Sequence, residues 1–443
     1  MRMSGWFGPR SLLLVYLLIA LTPLALAWSQ DLPRRPLLDD LSSSLAAVAF
    51  AMLLVEFLIS GRFEVVSGQL GIDRAIRFHR TTALILMAFV LIHPYLYTLP
   101  IQKALPWDWS KQLSLGVSGP SLIAGVAAWI LLPLLVFWAM FRREIPYKYE
   151  TWRLCHGIGA LLIALLVLFH TVKAGRYSAH DALFWFWIIL TSIAVLALIE
   201  VYLLRPLLQR KHPYRVVSVE PIALKTWDLV IEPEKDAALE FQAGQFAWLN
   251  FSGTPYNLME NPFSISTCPS QCPRIGFAIK EMGDFTSSLG SIEVGRRVHV
   301  DGPHGNFSIA GRDAKGLVFI AGGVGMAPIM GILRQMVHDG DTRPCRLIYG
   351  NRTIDQIMYP SELEQLADSL NLTIHHVLSE PPPDWDEPVG QLGYDELARL
   401  LDNKDSDHWL HLVCGPEPMI ESVEQTLQKL GVPPARILSE RFT

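Results

Sequence analysis

Four histidines form two pairs of equal spacing: His79 with His93, and His156 with His170, each pair fourteen positions apart. At ~100° and ~1.5 Å per residue, fourteen positions make nearly four helical turns and a rise of ~21 Å. Each pair on one helix therefore points the same way, with one histidine near each end. Two such helices running in the same direction and facing each other bring His79 to His156 and His93 to His170. That builds two stacked bis-imidazole sites, the arrangement in which helix bundles hold haem. The competing reading is four interfacial histidines bonded to nearby carbonyls, and the repeated spacing on two segments argues against it. No Cys-x-x-Cys-His attachment motif is present, so the haems expected are two of b type.

The segments that must position these histidines are apolar. Stretches near the ~20 residues that cross a bilayer recur at 11–27, 43–59, 76–99, 121–141, 152–172 and 182–204. The first also reads as a signal peptide, since Arg2 and Arg10 precede it and Ala25-Leu26-Ala27 resembles a cleavage site. Arginine and lysine cluster in alternate loops: Arg62, Arg74, Arg77 and Arg80, then Arg142, Arg143, Lys148 and Arg153, then Arg205, Arg210, Lys211 and Arg215. The loops between hold fewer, which predicts an integral protein of the inner cell membrane with both termini and the second half cytoplasmic. Arg77 and Arg80 also stand where haem propionates would need cations. Glu56 and Glu200 do not repeat the histidine geometry, against a metal-transport pathway. The net charge of −5 gives no electrostatic footprint for nucleic acid. The five cysteines form neither an iron–sulfur spacing nor a disulfide framework, although Cys268 and Cys272 could form a redox pair.

From Tyr214 to about Ala310, short strand-like runs alternate with turn residues, which predicts a small antiparallel barrel. Leu317-Val318-Phe319-Ile320-Ala321 then reads as a buried strand. Gly322-Gly323-Val324-Gly325, a helix from Pro328 and a strand at 346–349 follow it. A glycine-rich turn between strand and helix is where a helix N-terminus receives a pyrophosphate.

Taken together, these features resemble the NADPH oxidase and ferric reductase superfamily, with a ferredoxin–NADP reductase-like dehydrogenase half. Asn261-Pro262-Phe263-Ser264 resembles its flavin motif, and Asn261 stands where the family usually carries Arg or His. The resemblance implies that Phe263 packs beside the isoalloxazine and that the Ser264 hydroxyl bonds near its N5. Gly283-Asp284-Phe285-Thr286 resembles the segment along the flavin pyrophosphate, and residues 302–307 resemble a further family turn with His304 in an aromatic's place. Gly322, Gly323, Gly325 and Pro328 resemble the dinucleotide turn, and Cys414-Gly415-Pro416 the motif that sets a thiol beside the nicotinamide. Glu440-Arg441-Phe442 resembles an ending whose aromatic covers the flavin, here followed by Thr443.

The resemblance implies a membrane all-α six-helix bundle over 1–208, an antiparallel β-barrel FAD domain over 213–311 and an α/β NAD(P)-binding domain over 316–443. It implies electron transfer from NADPH or NADH through FAD and two haems to an outer acceptor. Dioxygen giving superoxide is preferred to a ferric chelate, because Lys103, Trp107, Trp109 and Lys111 form no iron-binding cluster. No EF-hand loop is visible, and no accessory subunit is evident. The rival readings are a ferredoxin or flavodoxin reductase tethered by structural spans, and a transporter or proton channel with a regulatory reductase half. Arg352, beyond the second nucleotide-domain strand, offers a planar cation to a 2′-phosphate and predicts NADPH over NADH.

Overall fold

The computed structural model describes residues 9–59, 63, 71–98, 105–109, 111–112, 119–142, 144–145, 148–235, 239–401 and 408–441. They divide into two compact units, Met1–Leu204 and Arg205–Thr443.

Among the described residues the first unit holds six helices long and apolar enough to cross a membrane. They are α1 (Pro9–Trp28), α2 (Leu37–Glu56), α3 (Ile72–Thr98), α4 (Pro120–Met140), α5 (Tyr149–Ala174) and α6 (Asp181–Ile199). Each begins one to six residues before the stretch its apolarity marks. The first turns carry polar residues such as Asp39 and Asp40 on α2, or Arg74 on α3. Backbone pairing starts in that polar margin, whereas apolarity reports only the length matched to hydrocarbon. α2 is the most enclosed, with a run from Ala49 to Glu56 buried, while α1, α3, α4 and α5 leave many Leu and Ile side chains outward. A helix apolar all round buries one side in protein and offers the other to lipid. α3 packs on α2, and α5 on α4. α6 ends in a π-helical turn, Glu200–Leu204.

The second unit opens with a short helix, α7 (Arg205–Lys211), and then six strands: β1 (Tyr214–Ala223), β2 (Thr226–Pro233), β3 (Phe246–Asn250), β4 (Glu260–Ser264), β5 (Ile275–Lys280) and β6 (Arg297–His304). Their order is β4-β3-β6-β1-β2-β5, all antiparallel. Ile265, just past β4, bridges Phe277 of β5 and closes the barrel. Ile265, Phe277, Leu229, Ile231 and Leu249 fill its interior with no exposed surface.

A parallel sheet follows. Its elements are β7 (Gly316–Gly322), α8 (Met326–Asp339), β8 (Cys345–Asn351), α9 (Pro360–Ser369), β9 (Leu372–Leu378), α10 (Tyr394–Leu400), β10 (Trp409–Cys414), α11 (Glu417–Lys429) and β11 (Ile437–Glu440). The strand order is β11-β10-β7-β8-β9. The chain moves outward from β7 to one side and then restarts on the other, so β7 and β10 flank a topological switch point. Ligands in such sheets bind in the crevice at the carboxyl ends of the strands there. A polar seam joins barrel to sheet. Tyr359 donates to Asp228 Oδ1 at 2.8 Å, and Arg334 pairs with Glu362 while donating to Ser266 O at 2.7 Å. Burial raises the Asp228 carboxyl above its usual range, against the opposing hydrogen bond from Tyr359. α8 approaches closely enough at this seam that a side chain on Gly331 would meet the backbone oxygen of Thr267 at 2.9 Å.

Candidate redox centres

In the bundle, α3 carries His79 and His93 and α5 carries His156 and His170. The His79 and His156 rings have centroids 6.4 Å apart and planes at 74°. A metal ~2.0–2.1 Å from each imidazole nitrogen, with ~1.2 Å more to each ring centre, requires about 6.4–6.6 Å. His93 and His170 lie within electrostatic reach of each other.

Hydrogen bonds set the tautomers. His93 Nδ1 meets the backbone oxygen of Ser42 at 3.0 Å and its hydroxyl at 2.9 Å. His170 Nδ1 meets the Ser121 carbonyl at 2.9 Å. His79 Nδ1 meets Glu56 Oε2 at 2.6 Å. A carbonyl or carboxylate only accepts, so the proton resides on Nδ1 and the lone pair on Nε2, the state a metal ligand needs. Among the described residues His156 Nδ1 is buried without a hydrogen-bond partner, and its ring stacks on Trp152 with centroids 5.2 Å apart. Gly125 on α4 leaves the space that His170 fills, since a Cβ there would lie 2.6 Å from His170 Nδ1. Ser42, Glu56, Ser121 and Gly125 were not singled out as partners in the sequence. For Glu56 the signal was present, an acid inside an apolar span.

In the reductase unit several of the predicted residues lie at the carboxyl ends of adjacent strands. Gly322 ends β7 and Cys414 ends β10, with Cys414 in register beside Ala321 on one side and Glu440 on the other. Cβ atoms at Gly325 and Gly415 would lie 2.1 Å from Cys414 O and 2.7 Å from Met419 Cε, so glycine lets the turn after β7 close on the end of β10. Gly323 takes φ +51° with only Lys280 Nζ, at 4.0 Å, near its missing side chain. This leaves a cradle at the N-terminus of α8, beside Pro328, suited to a pyrophosphate.

Ser264 ends β4 opposite Phe246, which on its other side faces His304 of β6. The His304 ring lies 5.7 Å from that of Phe246. Gly305 has φ +90°, and a Cβ there would lie 3.1 Å from Phe246 and 3.2 Å from Glu440 Oε1. Through that turn Glu440 of the parallel sheet reaches the barrel strand paired with Ser264. Asn261, Pro262 and Phe263 are half-buried on β4, and Phe263 packs against Phe285 with centroids 6.2 Å apart. Gly283 and Asp284 are exposed, and Thr286 Oγ1 accepts from the backbone of Met282 and Gly283 at 2.8 and 2.9 Å. Gly415 and Pro416 lead into α11. Phe442 lies outside the described residues.

Arg352 stands just beyond β8 and is exposed. Its Nε donates to Glu380 Oε1 at 2.8 Å, a partner the sequence did not reveal. Cys268 is buried and Cys272 half-buried, and both are free thiols. Burial raises the Cys272 thiol above its usual range.

A family model described as the ferric reductase like transmembrane component matches residues 45–167, which include His79, His93 and His156. A second, the oxidoreductase NAD-binding domain, matches residues 319–425, from β7 through most of α11. The membrane half is ferric reductase-like over the matched residues. The second half is a ferredoxin–NADP reductase-like dehydrogenase unit, and both halves place the chain among the oxidoreductases. It is 32% identical over 239 residues to the propane 2-monooxygenase reductase component of Rhodococcus jostii, covering 52% of this chain and 63% of that protein. Identity to the corresponding component of Mycolicibacterium smegmatis is 31% over 242 residues, covering 52% of this chain and 67% of that one. NADH-cytochrome b5 reductase 1 of Meyerozyma guilliermondii is 33% identical over 163 residues, covering 36% of this chain and 57% of that protein. The chain thus spans less than two thirds of the first of these relatives.

Proposed function

We propose that this protein carries electrons from cytosolic NAD(P)H, preferably NADPH, across the membrane to dioxygen on the outer face, giving superoxide. Residues 213–311 would form the FAD domain, 316–443 the nucleotide domain and 1–208 the haem domain. FAD held by the barrel residues would supply the conversion of a two-electron hydride into single electrons, the only form in which haem could take them.

The protein's own residues supply position. Gly322, Gly323 and Gly325 give the close turn in which the N-terminus of α8 faces a pyrophosphate. The ends of β7 and β10 hold Cys414 at the switch point, and Glu440 lines the edge toward the barrel. Ser264 offers a hydroxyl, and Phe263 an apolar face, to the flavin ring. His79 with His156, and His93 with His170, would hold the two haems through Nε2. Two histidines at each site would leave an iron held there no ligand position for a substrate, which favours one-electron transfer to an acceptor that does not bind iron.

Dioxygen is preferred because Arg35, Asp39, Asp108 and Lys111 are engaged with one another. Lys111 Nζ lies 2.8 and 2.7 Å from the Asp39 oxygens, and Arg35 pairs with Asp108. They hold the bundle together and offer no evident clamp for a ferric chelate. The family's own description keeps a ferric chelate as the second reading.

The observation that carries this reading is the pattern at Nδ1: three of the four histidines donate there to an acceptor, leaving Nε2 to a metal. Replacing His93 with Leu is expected to remove one of two haems and to abolish reduction on the outer face, while flavin reduction by nicotinamide survives. Haem content by pyridine haemochrome and pre-steady-state flavin bleaching measure both. Haem content unchanged in the His79, His93, His156 and His170 variants would sink the assignment.

A further inference from the structure

The two histidine pairs differ in what stands behind them. We propose that Glu56 is a positioning residue that makes the site of His79 and His156 harder to reduce than that of His93 and His170, so that electrons run outward downhill. The inference rests on the bis-histidine reading above.

Glu56 is the last residue of α2 and is 6% exposed. Its Oε2 accepts from His79 Nδ1 at 2.6 Å. Its Oε1 accepts from Thr82 Oγ1 at 2.6 Å and from Tyr16 OH at 3.1 Å. Three donors from α1 and α3 thus converge on one acid inside the apolar bundle. A purely structural knot needs an acceptor, which an amide supplies without the desolvation cost of a carboxylate. A carboxylate behind a ligating imidazole does more: it draws on the Nδ1 proton, raises the basicity of the ligand and favours the more oxidised metal.

The other pair lacks this feature. His93 and His170 place Nδ1 on backbone carbonyls, with the Ser42 hydroxyl as a further neutral neighbour. His156 Nδ1 has no partner among the described residues. Among the described residues, then, His79 alone of the four carries an acid. It sits on α3 beside Arg77 and Arg80, at the basic end that the proposed orientation puts on the cytosolic side, where electrons from NAD(P)H would enter. A low potential at entry and a higher one at exit give the relay its direction.

The test is a potentiometric titration of the purified full-length protein, followed by the haem α-band. The wild type should show two midpoints, and the His93→Leu background should retain the lower one. Glu56→Gln should move the lower midpoint upward by roughly tenfold in its reduction equilibrium, ~59 mV for a one-electron couple, and leave the upper one in place. Tyr16→Phe removes a competing donor from Oε1, concentrates negative charge toward Oε2 and should shift the same midpoint downward. Opposite shifts in the two variants are not expected of a merely structural role. If Glu56→Gln fails to hold the inner haem, an unmoved midpoint in Tyr16→Phe still overturns the proposal. Two haems per chain with both midpoints unmoved would overturn the role of Glu56 and leave the ligand assignment standing. A wild type without haem would overturn the ligand assignment itself.

Discussion

Arg352 shows how one side chain's meaning changes with its neighbour. From the sequence it is a permanently charged fork at the end of the second strand of the nucleotide domain, where the adenosine ribose is read in folds of this kind. In the structure its Nε is bonded to Glu380, 28 positions later, and both side chains are more than half exposed. An exposed pair of this kind contributes ~0–1 kcal/mol, little enough for a phosphate to compete for the guanidinium. Arg352→Ala should therefore raise KM for NADPH about tenfold and leave KM for NADH nearly unchanged, as steady-state kinetics with each nucleotide would show. Equal losses for both would mean that Arg352 supports the loop and does not read the phosphate. The residues legible in the sequence were those whose type and local spacing carry the signal, such as the four histidines and the Gly322-Gly323-Val324-Gly325 turn. Their partners were not. Glu56 lies 23 positions before His79 and Ser121 lies 49 before His170, and only helix packing brings them together.

At the scale of elements, the reductase edge depends on β7 and β10 meeting closely. The strand–turn–helix unit from β7 into α8 was readable because a fully apolar run gives way to glycines. The adjacency of β10 was not, since strand order is a tertiary property that no local pattern encodes. Gly325 is the tightest point, because a Cβ there would lie 2.1 Å from a backbone oxygen that cannot swing aside. At Gly322 the obstacle is Met419 Sδ at 2.4 Å, on a flexible side chain. Gly325→Ala should thus cost ~1–3 kcal/mol as an overpacked site and lower kcat/KM for NAD(P)H at least tenfold. Gly322→Ala should be milder in both respects. Thermal unfolding together with kinetics checks the order, and a reversed order would mean that this turn does not approach β10 as described. The bundle was legible in the same partial way. Apolar length marked all six spans, but not the polar first turns of α2 and α3, nor the enclosed position of α2.

For the whole molecule, the proposed function assigns the two units consecutive parts of one electron path. A nucleotide-binding sheet and a flavin-type barrel share a buried polar seam, and the bundle offers two histidine pairs near opposite ends of its helices. The rival in which the spans merely tether a soluble-type reductase gives no reason for His79 of α3 and His156 of α5 to face each other with ring centroids 6.4 Å apart. The deciding measurement is stopped-flow spectroscopy of the protein in proteoliposomes, with NADPH added outside and cytochrome c or ferric citrate sealed within, following the molecules whose dehydrogenase unit faces out. The account predicts that flavin absorbance bleaches first and reduced haem bands follow. Sealed cytochrome c should then be reduced in a manner that superoxide dismutase, also sealed inside, suppresses; reduction of ferric citrate under anaerobic conditions would select the second acceptor instead. Flavin that bleaches while the haem bands stay absent and the interior acceptors stay oxidised would contradict the account.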